Sequence, residues 1–146
     1  MPDPTWTPTA ATPPVFARLS GDHNPVHLDP EFAREAGFDT VIVHGMNVLG
    51  AAARAAQNFA PGGTMLRSLD VRFANPVLPG QTVSHAGEIK ELPTGVKVSL
   101  TATLDDAEST RIMSPAGFVF GPTEGGWDLP RNVELAPDEK DVPGDE

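Results

Sequence analysis

The chain of 146 residues contains no cysteine. That removes disulfide frameworks and thiolate metal sites, and it frees the fold from any need for an oxidising compartment. No stretch comes near the ~18 to 20 apolar residues that would span a bilayer. Met1–Pro14 has neither a basic start nor an apolar run, so no secretory signal is expected and a cytoplasmic location is. A phosphate loop is missing too, since neither Gly62-Gly63 nor Gly125-Gly126 is followed by Lys-Ser/Thr or a helix signature. Basic residues are scarce, 10 against 20 acids, and the net charge of -10 argues against nucleic acid or an anionic membrane as a partner. No internal repeat is visible.

What is present fits one domain, long enough for a real core and too short for two. The charge is unevenly placed: residues 124–146 carry eight acids against two bases. The expected organisation is an irregular N-terminal segment over 1–12, a folded domain over 13–122, and an acidic, Pro-rich, poorly ordered tail over 123–146.

Within the domain the periodicities are distinct. Pro14–Leu19 reads as a short helix with prolines suited to its first turn. Pro30–Ala36 reads as a second, capped by Asp29 and stopped by Gly37. Val41–Phe59 is apolar nearly all round and rich in Ala and Gly, the pattern of a helix buried on most sides. Beyond Pro61-Gly62-Gly63 the period falls to two, predicting strands over Ser68–Ala74, Thr82–Leu92, Val96–Leu104 and Arg111–Phe120. One buried helix before a run of antiparallel strands is an α+β order, a long helix cradled by a curled sheet.

Two segments carry chemistry. Phe16–His27 puts Asp22, Asn24 and His27 within six residues on a backbone turned by Gly21 and Pro25. Seventeen residues past His27 comes Val43-His44-Gly45-Met46, at the mouth of the apolar helix. Together they read as an acid/base pair and a helix start able to hold a carbonyl oxygen. Taken alone, Asp22 and Asn24 are also ordinary turn and cap residues. His85, in a strand with no partner nearby, reads as a surface histidine. His44 either lines a pocket or satisfies helix-start groups, with a supporting role favoured. No metal site is expected from Asp22, His23, His27 and Asp29, because Pro25 works against the helix that would put both histidines on one face.

Leu19-Ser-Gly-Asp-His-Asn-Pro-Val-His-Leu-Asp29, Ile42-Val-His-Gly-Met46 and Val71-Arg-Phe-Ala-Asn-Pro-Val-Leu-Pro-Gly80 together resemble the MaoC-like, (R)-specific enoyl-CoA hydratase family over about residues 13–120. The resemblance implies a hotdog fold, a dimeric working unit in fatty acid metabolism, and reversible hydration of a trans-2-enoyl thioester to the (R)-3-hydroxyacyl thioester. It implies no metal or redox cofactor, with coenzyme A present only as part of the substrate.

By the same resemblance Asp22 and His27 form the catalytic dyad around one water, Asn24 holds the water or the loop, and Gly45 offers an oxyanion N–H. His44, Met46 and Arg72 are the candidate substrate-binding positions. Arg67, Lys90 and Lys97 are the other cations available to a CoA moiety.

The family's single-domain members often carry a serine on the buried helix. This chain has none between Val41 and Ser68 and looks more like the catalytic half of the two-hotdog, peroxisomal type. It is therefore expected to pair with itself or with a different hotdog subunit, the latter suiting a dehydratase of bulky acyl groups. Two rivals are weaker. A hotdog thioesterase generally has an acidic residue on the central helix, and Val41–Phe59 has no Asp or Glu. A non-catalytic acyl-binding subunit is expected to have lost the dyad.

Overall fold

The computed structural model of the chain describes residues 4–123. Apart from Thr123, the expected acidic tail lies outside the described residues. In chain order the elements are β1 (Thr5–Trp6), α1 (Thr12–Ser20), a 3-10 turn (Pro25–His27), α2 (Pro30–Glu35), α3 (Gly45–Phe59), β2 (Thr64–Phe73), β3 (Val83–Leu92), β4 (Gly95–Leu104) and β5 (Arg111–Pro122). The strands form one antiparallel sheet in the order β1-β3-β4-β5-β2. It curls around α3, and the architecture is the hotdog fold.

Alternation in β4 sets the core face. Val96, Val98, Leu100, Ala102 and Leu104 are buried, while Lys97, Ser99 and Thr101 are exposed, as the period of two requires. Phe118 and Phe120 of β5 and Ile112 and Met113 join them. From the helix side come Val48, Ala52, Ala55 and Ala56. Small side chains on that face of α3 let the helix lie close on the sheet, and one contact shows how close. The ring of Phe59 stands 2.9 Å from where a Cβ on Gly87 would be, so β3 accepts the end of the helix only because residue 87 has no side chain.

Three expectations change. First, α3 begins at Gly45 and not at Val41, because Val41–His44 is drawn into extended backbone. The Ile42 N–H donates to Val26 O at 3.2 Å and the Val43 N–H to Val77 O at 2.8 Å, bonds that an apolar run cannot announce. Second, β2 starts four residues earlier than Ser68, since Thr64–Leu66 pair with Phe120–Pro122. Third, His85 is not a surface residue: it is 2% exposed because Pro4 and β1 close over it, the His85 N–H and Nδ1 both lying on the Pro4 carbonyl at 3.1 and 2.9 Å.

Candidate active site

Local hydrogen bonds shape the loop that follows α1. Gly21, at φ 80, terminates the helix in the left-handed region, its N–H donating to Ala17 O. Ser20 Oγ accepts the Asp22 N–H at 3.2 Å. Asp22 Oδ1 accepts the Asn24 N–H at 3.2 Å, and Asn24 Oδ1 accepts the Val26 N–H at 3.1 Å, capping the 3-10 turn. Each short polar side chain closes the turn ahead of it. Asp29 does the same for α2, where Oδ1 accepts the Glu31 and Phe32 N–H groups at 2.9 and 3.3 Å.

This chain of caps leaves Asp22 Oδ2 facing the His27 imidazole, 3.9 Å from Nε2, with the two side chains 52% and 11% exposed respectively. His27 Nδ1 lies 2.8 Å from the Ile42 carbonyl oxygen. A carbonyl only accepts, so Nδ1 carries the hydrogen and the neutral ring presents a bare lone pair at Nε2. The extended backbone before α3 thus selects the tautomer.

His44 lies behind His27. It is 1% exposed, stacked on His27 with ring centroids 3.9 Å apart and planes 25° apart, and flanked by Phe16 at 4.7 Å. His44 Nε2 donates to the Asp22 backbone carbonyl at 3.0 Å, while Nδ1 is buried without a partner. One histidine therefore ties down both halves of the pair: it stacks on the imidazole and holds the carboxylate's backbone. Its burial leaves no face open to a ligand.

Gly45 opens α3, where the first N–H groups have no partner within the helix. It borders a largely apolar cavity of about 270 Å³ that His27, Ile42, Val48 and Phe73 also line. The Phe73 ring comes within 3.4 Å of the position a Gly45 Cβ would take. The structure thus brings Asp22, His27, His44 and Gly45 to one corner of the fold. Met46 is the next helical residue and 65% exposed. Arg72 is an exposed residue of β2, at an irregularity between Val71 and Phe73, and is not part of that cavity's wall. His23 is exposed.

Ligand atoms of Asp22, His27 and His44 lie within 4.8 Å of one another, a different set from the four residues weighed above, since Asp29 is committed to capping α2. His27 Nδ1 and His44 Nε2 are both already turned to backbone carbonyl oxygens, of Ile42 and Asp22. Sequence reasoning did not find Phe73, Ile42 or Phe16. Phe73 stood in the Arg-Phe-x-x-Pro-Val stretch but carried no polar group to mark it. Ile42 acts through its backbone, which no side chain advertises.

A family model described as MaoC like domain matches residues 3–109. Among curated proteins, the chain is 46% identical over 77 residues to the peroxisomal multifunctional enzyme type 2 of Mus musculus, covering 51% of this chain and 10% of that protein. It is 44% identical over 80 residues to the 3-hydroxyacyl-thioester dehydratase Y of Mycobacterium tuberculosis, covering 53% and 28%. It thus spans a tenth to little more than a quarter of these relatives. Among solved structures, the R-hydratase PhaJ1 from Pseudomonas aeruginosa superposes with a TM-score of 0.71 at 26% identity, over 83% of this chain and 78% of that one.

Proposed function

The chain belongs to the MaoC-like dehydratase family, and on that premise we propose that it is a hydro-lyase, adding water reversibly to a trans-2-enoyl-CoA to give the (R)-3-hydroxyacyl-CoA. The observation that carries this reading is the pair of His27 Nε2 and Asp22 Oδ2, 3.9 Å apart. That is too far for a direct hydrogen bond and close enough for one water to reach both.

The reaction follows from the tautomer. His27, bare at Nε2, takes a proton from the water as its oxygen bonds to C3 of the enoyl thioester. The C2–C3 π electrons move toward the carbonyl, and the charge that develops on the thioester oxygen meets the Gly45 N–H at the start of α3. The imidazolium faces the Asp22 carboxylate until its Nε2–H passes to C2. Hydroxyl and hydrogen have then both come from one water on one face, a syn addition, and the dyad is restored. Asn24 and His44 position the loop. No metal or redox cofactor takes part in these steps. The apolar wall from Phe38 to Val77 suits the acyl portion near C2 and C3.

A dimer is the working unit in this reading. β2 is a ten-residue strand at the end of the sheet, and its free row of N–H and C=O groups is a template for a second hotdog subunit, either another copy or a different chain. Among the described residues, no helix is long and apolar enough to cross a membrane. The reading places the enzyme in the cytoplasm, and a fluorescently tagged chain imaged against peroxisomes tests that, since relatives bear that compartment in their names.

The activity is tested by mixing the chain with 2-enoyl-CoAs of increasing length and branching. Loss of the enoyl-thioester absorbance without free thiol supports hydration. Thiol release supports a thioesterase. Activity only after a second hotdog protein is added identifies an obligate heteromer.

A further inference from the structure

The outer face of the sheet carries a cavity of about 230 Å³ walled by β4 and β5, with Asp70 of β2 at one side. A fault in strand pairing opens it. Ser99 faces Gly117 and Ala102 faces Met113, so Ser114–Ala116 of β5 stand opposite only Leu100 and Thr101 of β4. The extra residue makes a β-bulge, and Pro115 within it has no N–H to give the ladder. Lys97, Ser99 and Thr101 point away from the core here, alternating with buried Val98 and Leu100.

Two cations converge on this gap. Lys97 lies across β5 over Gly117: a Cβ there would stand 3.0 Å from Lys97 Cε and 3.6 Å from Nζ, so this course is open only because residue 117 has no side chain. From the other end Arg111 Nη1 donates to Ser114 Oγ at 3.4 Å, which leaves the Ser114 hydroxyl hydrogen for another acceptor. Ser114 and Gly117 are separated by about 10 Å of strand or less. Among the described residues neither cation is ion-paired with a carboxylate. Asp70 is the acid of the wall, which leaves a positive spot on a chain of net charge -10.

We propose that this bulge is a phosphate-binding cradle, in which Lys97 and Arg111 grip a phosphate or diphosphate group from two ends and the Ser99, Thr101 and Ser114 hydroxyls donate between them. Its source is either the nucleotide end of a coenzyme A thioester or a free phosphorylated metabolite. The first has a route on the structure. Asn75, in the wall of the Gly45 cavity, donates through Nδ2 to the Arg111 carbonyl at 2.7 Å, so the root of Arg111 adjoins a loop that borders that cavity. The coenzyme A source rests on the hydratase reading; the cradle itself does not.

The test titrates the full ¹⁵N-labelled chain at low ionic strength and follows its backbone amides by ¹H–¹⁵N NMR. Inorganic pyrophosphate, coenzyme A and pantetheine are the probes, with sodium chloride at matched ionic strength as the blank. Saturable shifts centred on Thr101, Ser114, Ala116 and Gly117 are expected with pyrophosphate, coenzyme A or both, and none there with pantetheine. Lys97→Gln and Arg111→Gln, both at exposed positions, should each weaken binding about tenfold, and Asp70→Asn should tighten it several-fold. Shifts with coenzyme A, and a KM for the enoyl-CoA that rises in Arg111→Gln while that for the enoyl-pantetheine thioester does not, identify the substrate's own phosphates. Shifts with pyrophosphate alone identify a free phosphorylated ligand. Because the amides report without turnover, a chain that binds but does not hydrate overturns the hydratase reading and not the cradle. No saturable shift up to about 10 mM, shifts that sodium chloride reproduces, or affinities indifferent to both Lys97→Gln and Arg111→Gln overturn the cradle.

Discussion

Asp22 Oδ2 and His27 Nε2 stand 3.9 Å apart, each held from behind: the carboxylate by the Asn24 N–H on its other oxygen and the imidazole by the Ile42 carbonyl. Asp22→Ala or His27→Gln should therefore lower kcat by about 10²- to 10⁴-fold. Asp22 is half exposed, so the Tm of Asp22→Ala should stay near that of the parent. Steady-state assays and thermal melts on the same preparations check both, and near-full turnover in either variant contradicts the assignment.

His44 is a positioning residue. His44→Phe keeps a ring between Phe16 and His27 and removes the Nε2–H that holds the Asp22 carbonyl at 3.0 Å. The expected loss is about 1 kcal/mol of stability, with kcat down several-fold and KM little changed, because the dyad geometry loosens while the acyl wall stays. A rise in KM at constant kcat would instead place His44 against the substrate.

Gly45 and Phe73 should be energetically coupled. A Cβ on residue 45 would lie 3.4 Å from the Phe73 ring, at the near edge of ordinary contact, and would fill the space between the helix start and the ring. Gly45→Ala should impair turnover in the parent and much less in a Phe73→Ala background, where the ring is gone. A double-mutant cycle on kcat/KM measures the interaction. Additive effects would show that the ring is no constraint on the helix start.

His85 gives the fold a pH dependence of known sign. Burial holds its folded pKa below the ordinary 6.5, so the unfolded chain binds the extra proton first. Stability from this group is complete above about pH 6.5 and falls as pH drops through the lowered folded value. Asp106, whose carboxylate accepts from Thr110, has its pKa lowered below 3.8, and its contribution is lost only in that more acidic range. Urea unfolding between pH 7.5 and 5 should show a decline that flattens in His85→Gln. An unchanged slope in that variant would assign the decline elsewhere.

The sheet and the loop that brings Asp22 near His27 were largely legible because their signals are local. Val96 to Leu104 alternates without a break, and the turn chemistry of Gly21, Asn24 and Pro25 lies within the residues it bends. What escaped was set by partners far along the chain. The true start of α3 depends on Val26 and Val77 carbonyls capturing Ile42 and Val43, and an apolar run of that length suits helix and extended chain equally. His85 was misread because Pro4, 81 residues away, buries it. The His27 tautomer is fixed by a backbone oxygen, which every residue possesses and none advertises.

The central claim, one water handled from one face by Asp22 and His27, is tested most directly by hydrating a trans-2-enoyl-CoA in D₂O and reading the product by NMR. The account predicts one deuterium at C2, in a single diastereomer syn to the new hydroxyl, with R configuration at C3. A mixture of C2 diastereomers, an anti product, or free thiol with the double bond intact would contradict it.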